Sequence, residues 1–237
     1  MMEDNNALVI KEMPRYSLSE ELISAISHGV GVGLSIAGLV LCIIKAVTDC
    51  VSRGVVSASL YGSFLIILYL MSTLYHSFKS TRKVKKVFRV FDHCSIFLLI
   101  LGTYIPYTLI TLKGPLGWTI FGIILASSIL GIVFNSISIE KFKTFSMICY
   151  LVMGWAIIFA MKQLCNNLDI RGVMLLIAGG IVYSIGAIIY GIGKKVKYMH
   201  SIWHFFVLGG TILHFFSIYL YVLWIVSLWI LFTLYNY

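Results

Sequence analysis

An all-α bundle of seven transmembrane helices is the fold this sequence predicts, and three observations carry the prediction. Of 237 residues, 60% are hydrophobic and 11% charged, against roughly 45–50% and about 25% in an ordinary soluble domain. Charged clusters break the chain into seven apolar runs, each near the ~20 residues a helix needs to cross a bilayer. The runs are continuous rather than alternating over about ten residues, which argues against a barrel.

The runs follow from their flanks. A polar tail, 1–20, carries Glu3, Asp4, Lys11, Glu12, Pro14 and Arg15 and precedes the transmembrane domain, 21–237. The tail lacks the basic-then-apolar order of a signal peptide, so the first run, 22–44, is expected to be a retained span that ends at Lys45. The second, 55–78, lies between Arg53 and Lys79; the third, 90–112, lies between Arg89 and Lys113. Pro106 interrupts the third and predicts a kink there. The remaining runs are 116–138, 143–162, 172–193 and 200–233, with Lys141 and Lys143, Arg171, and Lys194, Lys195 and Lys197 between them. No second domain or internal repeat is evident.

The net charge of +9 could suggest nucleic acid, but its distribution argues otherwise. Thirteen of the 18 Lys and Arg residues fall in the amino-terminal tail and in the loops after runs two, four and six. That asymmetry predicts a cytoplasmic amino terminus and an external carboxyl terminus, as an odd number of spans requires. Trp118, Trp155, Trp203, Trp224 and Trp229 mostly lie near predicted span ends, where amphipathic rings favour the interface. Topogenic charge accounts for the basic loop Lys79–Arg89, with anionic-lipid binding as a further reading. The five cysteines form no CxxC pair; Cys50 and Cys165, both in predicted external loops, are either a disulfide or two free thiols. The carboxyl terminus carries no prenylation box.

Ionisable groups inside spans are functional candidates by default. His28, His76, Asp92, His200 and His204 all belong to the same end of their helices, the end next to the basic loops. His200 and His204 are four residues apart and so share a face, with Cβ atoms about 5–6 Å apart. His76 would complete the three-protein-ligand pattern of a catalytic zinc site with one open position. Asp92 would bind the metal directly or accept a hydrogen bond from water at the open position. Ser72 lies one turn before His76. Imidazole-rich sites also admit iron, nickel or copper, and zinc is chosen on commonness and geometry. His93 faces roughly 100° away from Asp92 and is expected outside the ligand set. His28 is read as an outer-shell or helix-packing group, and His214 as satisfied inside the bundle. Glu21, two turns before His28, is read either as guarding the mouth of the site or, more simply, as an exposed carboxylate at a helix start.

In order, Glu20-Glu21 with Ser27-His28-Gly29, then Ser72-Thr73-Leu74-Tyr75-His76-Ser77, then Phe91-Asp92-His93 with Gly102-Thr103-Tyr104-Ile105-Pro106, and finally His200-Ser201-Ile202-Trp203-His204 with His214-Phe215 resemble the successive motifs of the hemolysin III family. That family is the bacterial branch of the progestin and adipoQ receptor (PAQR) family, which includes the adiponectin receptors. The resemblance runs from about Glu20 to Phe216. It implies a seven-helix bundle in a bacterial cell membrane, with the amino terminus in the cytoplasm. It also implies a Zn2+ ion held by His76, His200 and His204, with Asp92 contacting the zinc-bound water and Ser72 in the position one turn before the first ligand. One departure is Ser24, where many bacterial members are expected to carry Asn.

Three functions are in view. The first is a zinc-dependent intramembrane hydrolase acting on a lipid amide or ester, ceramidase-like, with Asp92 as general base and Ser72 hydrogen-bonding the substrate or oxyanion. Its partners would be membrane lipids, including the lipid amide substrate, and not nucleic acid. No HExxH motif is present. The second is cytolysis, against which stand the absence of a secretion signal and of a switchable amphipathic hairpin. The third is a non-catalytic regulator or receptor in which zinc only pins helices two, three and seven.

Overall fold

The computed structural model describes residues 14, 16–48, 52–79, 83–192 and 196–223. Among them seven helices are long and apolar enough to cross a membrane: α1 (Leu18–Thr48), α2 (Ser52–Ser77), α3 (Lys83–Thr111), α4 (Gly114–Ile137), α5 (Ile139–Asn167), α6 (Ile170–Gly191) and α7 (Met199–Val222). Each predicted run falls on one of them. Cys50, Trp224, Trp229 and the predicted end of the seventh run lie outside the described residues; Cys165 is a free thiol.

The helix starts differ from the charge-based boundaries for local reasons. α1 begins four residues early because Ser17 and Glu20 form a capping box: Ser17 N donates to Glu20 Oε2 at 2.8 Å and Glu20 N donates to Ser17 Oγ at 3.4 Å. α3 begins at Lys83 rather than residue 90. Lys85 and Arg89 are four apart on one face and are buried against carboxylates, Lys85 on Glu21 at 2.5 Å and Arg89 on Glu140. Paired in this way, the basic residues continue the helix instead of ending it. Part of what reads as a topogenic loop is therefore the first two turns of α3, with Lys85 and Arg89 on their buried face.

α1 inverts the pattern of a soluble amphipathic helix. Its inward positions are small or polar (Ser24, Ser27, His28, Gly31, Ser35, Gly38, Cys42, Ala46), while Val30, Leu34, Val40 and Leu41 are exposed. Lipid tails are as apolar as leucine, so helices associate through close backbone approach and interhelical hydrogen bonds. Gly62 of α2 shows the closeness: an added Cβ would meet Leu39 Cβ at 2.7 Å and Leu39 Cα at 3.0 Å. Backbone cannot yield as a flexible side chain can. Gly62→Ala is expected to cost about 1–3 kcal/mol of stability through overpacking, read as a lowered thermal midpoint in detergent.

α3 is the central helix. Its most apolar window is 78% buried, against at most 44% for any other span. Pro106 lies inside it, and the chain continues directly into a π turn over Tyr107–Thr111. The predicted kink site is thus a change of helix type, a usual response to a missing N–H. α5 breaks as well, passing through a 3-10 turn at Ala156–Ala160. The Tyr104 hydroxyl satisfies the backbone freed there. It donates to Met153 O at 2.7 Å and accepts from Ile157 N at 2.8 Å, replacing water that a bilayer does not supply.

Candidate metal centre

Two helices bring three imidazoles to one point. α2 places His76 in its last turn, and α7 places His200 and His204 one turn apart in its first two. All three are buried, and one ligand atom from each lies within 4.8 Å of the others. His200 Nε2 is 3.2 Å from both His76 Nε2 and His204 Nε2.

This donor set fits a metal better than a hydrogen-bond chain. An imidazole nitrogen has one in-plane direction, used either by a proton or by a lone pair, so His200 Nε2 cannot serve two neighbours at once. A cation among three lone pairs satisfies all of them. Nitrogens ~2.0–2.1 Å from a tetrahedral zinc stand about 3.3–3.4 Å from one another, close to the two separations of 3.2 Å about His200 Nε2. Buried polar atoms without a hydrogen-bond partner cluster in the same region: Ser72 Oγ, Tyr75 OH and both nitrogens of His28. Unpartnered groups at such density mark a site built for something that brings its own donors and acceptors. The three histidines can hold a metal ion.

The other candidate residues separate. Ser72 and Asp92 are both buried, the hydroxyl beside the carboxylate but without a well-formed hydrogen bond to it. Asp92 shares a cavity wall with His28 and His200. His28 packs against His204 with ring centroids 3.9 Å apart and planes tilted by 37°, and meets the edge of Tyr69 at 4.9 Å, which makes it a close neighbour of the site. His93 stays outside the three-histidine cluster: it donates through Nδ1 to Arg89 O at 3.0 Å and shares the cavity wall with Asp92. His214 lies deeper and donates through Nε2 to Leu176 O at 3.0 Å. Ser24, the departure from the expected Asn, shares a 3.1 Å hydrogen bond with Ser201 of α7.

Two contributors depart from the simplest sequence reading: Glu21 takes the other of its two readings, and Tyr16 has no place in it. Glu21 is not an exposed helix-start carboxylate. Its side chain is 12% exposed and accepts from His76 Nδ1 at 2.7 Å and Lys85 Nζ at 2.5 Å. Its spacing of seven residues from His28, two turns on one face, is the signal that supports the alternative reading at the site's mouth. Tyr16, in the polar tail, stacks on His200 with centroids 4.6 Å apart and planes 18° apart. Burial pushes its phenol well above the ordinary range, so a neutral ring covers the ligands on the side of the basic loops. No sequence periodicity announces a contact made by a tail.

A cavity of about 150 Å3 runs inward from the site. It begins at His28, Asp92 and His200, is lined mainly by apolar and aromatic side chains such as Leu99, Ile100, Met147 and Trp203, and reaches Tyr107 and His214. His200 and His214 are fourteen residues apart on one helix, so the lining takes in about 20 Å of α7 at ~1.5 Å per residue.

Residues 16–215 match the family described as haemolysin-III related. The chain belongs to the haemolysin III family. It is 47% identical to Hemolysin-3 of Bacillus cereus over 206 residues, covering 87% of this chain and 93% of that protein. It is 43% identical to the Hemolysin-3 homolog of Bacillus subtilis (strain 168) over 206 residues, covering 87% of this chain and 96% of that protein. A more distant similarity, 28% over 177 residues and 73% of this chain, is to the human monocyte to macrophage differentiation factor, 72% of which it covers. This member of the haemolysin III family is a multi-pass membrane protein. The matched stretch begins at Tyr16 and so includes both the acidic pair and the ring over His200.

Proposed function

We propose that this protein is a zinc-dependent intramembrane hydrolase acting on an amide or ester bond of a membrane lipid. The observation that carries the proposal is the juxtaposition of three converging histidines with Asp92 at the head of a long apolar cavity. The cavity takes the lipid chain and so brings its polar junction to the histidines. Zinc, when bound, polarises a carbonyl and brings the pKa of a water toward about 7. Asp92 accepts the proton of the attacking water and later returns it to the leaving group. Ser72 donates to the substrate carbonyl, and Tyr16 covers the site and limits water entry. The basic loops face the cytoplasm on the charge asymmetry, so the substrate enters from the inner leaflet.

The test uses purified full-length protein in lipid nanodiscs with a long-chain lipid amide. Fatty acid is expected to be released, to stop when a chelator strips the metal, and to resume on adding zinc. A metal-replete sample that releases no fatty acid from any lipid amide or ester overturns the hydrolase. The same result favours a second reading, in which the metal ties α2 to α7 as a structural clasp. That reading draws on the ligands being shared between just these two helices. The name of the Bacillus cereus relative brings in haemolysis; lysis of red cells that persists in His204→Ala would assign it to a function independent of the metal.

A further inference from the structure

The first turn of α1 touches both helices that carry the histidines, and it does so through adjacent carboxylates. Glu20 accepts from the backbone N–H of Tyr198 at 2.8 Å, and its carbonyl accepts from Ser201 Oγ at 3.1 Å. Tyr198 precedes α7 with φ of 67°, a left-handed conformation that is costly for a side chain as large as tyrosine. Its N–H is one of the groups that no intrahelical partner satisfies. Glu20 therefore holds the start of the helix carrying His200 and His204.

Glu21 does the corresponding work on α2. A carboxylate can only accept, so His76 must carry its proton on Nδ1 to make the 2.7 Å contact. The lone pair is then left on Nε2, the atom facing His200 and His204. The arrangement is asymmetric across the site: Nδ1 of His200 and Nδ1 of His204 have no hydrogen-bond partner among the described residues, and His76 Nδ1 does. Lys85 completes the link. It is fully buried, meets the other oxygen of Glu21, and sits with Nζ 5.0 Å over the Tyr75 ring. A buried lysine with such a partner keeps the carboxylate from being an uncompensated charge inside the bundle.

We infer that Glu21, anchored by Lys85, is the positioning residue of the metal centre, fixing the tautomer and ring orientation of His76 so that Nε2 is ready to bind. The inference rests on the metal reading of the three histidines. Outer-shell partners of this kind change metal affinity by about 10–100-fold when removed.

The test measures metal affinity by chelator competition, with zinc and with cobalt(II), in full-length detergent-purified protein: wild type, Glu21→Gln, Glu21→Ala and Glu21→Asp. Thermal midpoints of the metal-free proteins check folding. Glu21→Ala is expected to bind about 10–100-fold more weakly, Glu21→Gln less severely because an amide oxygen can still accept from Nδ1, and Glu21→Asp to recover part of the loss. At saturating cobalt, the ligand-field absorption bands of Glu21→Gln are expected to shift, which a folding defect alone would not produce. Wild-type affinity and unchanged cobalt bands in a folded Glu21→Ala, which leaves Nδ1 no acceptor, would overturn the positioning role while leaving the metal site standing. Failure of the wild type itself to bind any divalent transition metal would overturn the metal reading, and this inference with it.

Discussion

His204→Ala is expected to empty the metal centre. Its Nε2 is one of three converging donors, and the residue is fully buried, so water cannot readily take its place. Loss of a direct ligand should exceed the about 10–100-fold penalty of losing an outer-shell partner. Metal analysis of purified wild type is expected to give one zinc per chain, and the variant a small fraction of that. Stability provides an independent reading. A ligand at 100 times its Kd stabilises the folded state by about 2.7 kcal/mol, so adding zinc to the stripped wild type should raise its thermal midpoint and leave that of His204→Ala unmoved. His214→Ala is the control, since His214 is engaged with Leu176 O deeper in the bundle and its loss should spare the metal. Equal zinc content in wild type and His204→Ala would remove the basis of the site.

Asp92→Asn is expected to separate binding from chemistry. If Asp92 serves as general base, the variant keeps its zinc and loses about 10²–10⁴ in kcat, the usual share of a positioned proton acceptor. Asparagine matches the shape of the carboxylate and leaves the carbonyl that accepts from Ser95 Oγ untouched. If Asp92 instead binds the metal, zinc is lost along with turnover. Single-turnover release of fatty acid, measured beside zinc content in the same preparation, discriminates the two. A variant with full zinc and full turnover would sink the role of Asp92 altogether.

The seven spans were legible because the bilayer imposes a length on every apolar run, and lysine and arginine punctuate the runs. Lys85 and Arg89 show where that reading stops. A basic residue counted from sequence looks like a loop boundary; whether it ends a helix depends on whether another helix offers it a carboxylate. Glu21 fails for the same reason in reverse. At a helix start an acidic side chain has a sufficient local explanation in the helix dipole, so nothing in its own neighbourhood points to His76, fifty-five residues away.

His200 and His204 were paired by the sequence itself, because a spacing of four on a helix puts two side chains on one face whatever surrounds them. The sequence likewise determined that these histidines, His76 and Asp92 share one level of the membrane, since helix rise converts distance from the basic loops into depth. Depth is not direction. Only the tertiary structure decided that His76 turns its Nε2 toward the pair, that His93 stays outside the cluster, and that Tyr16 and Glu21 close over the ligands. Those outcomes depend on the rotation of each helix about its own axis, which is set by close contacts such as Gly62 against Leu39 that no single helix encodes.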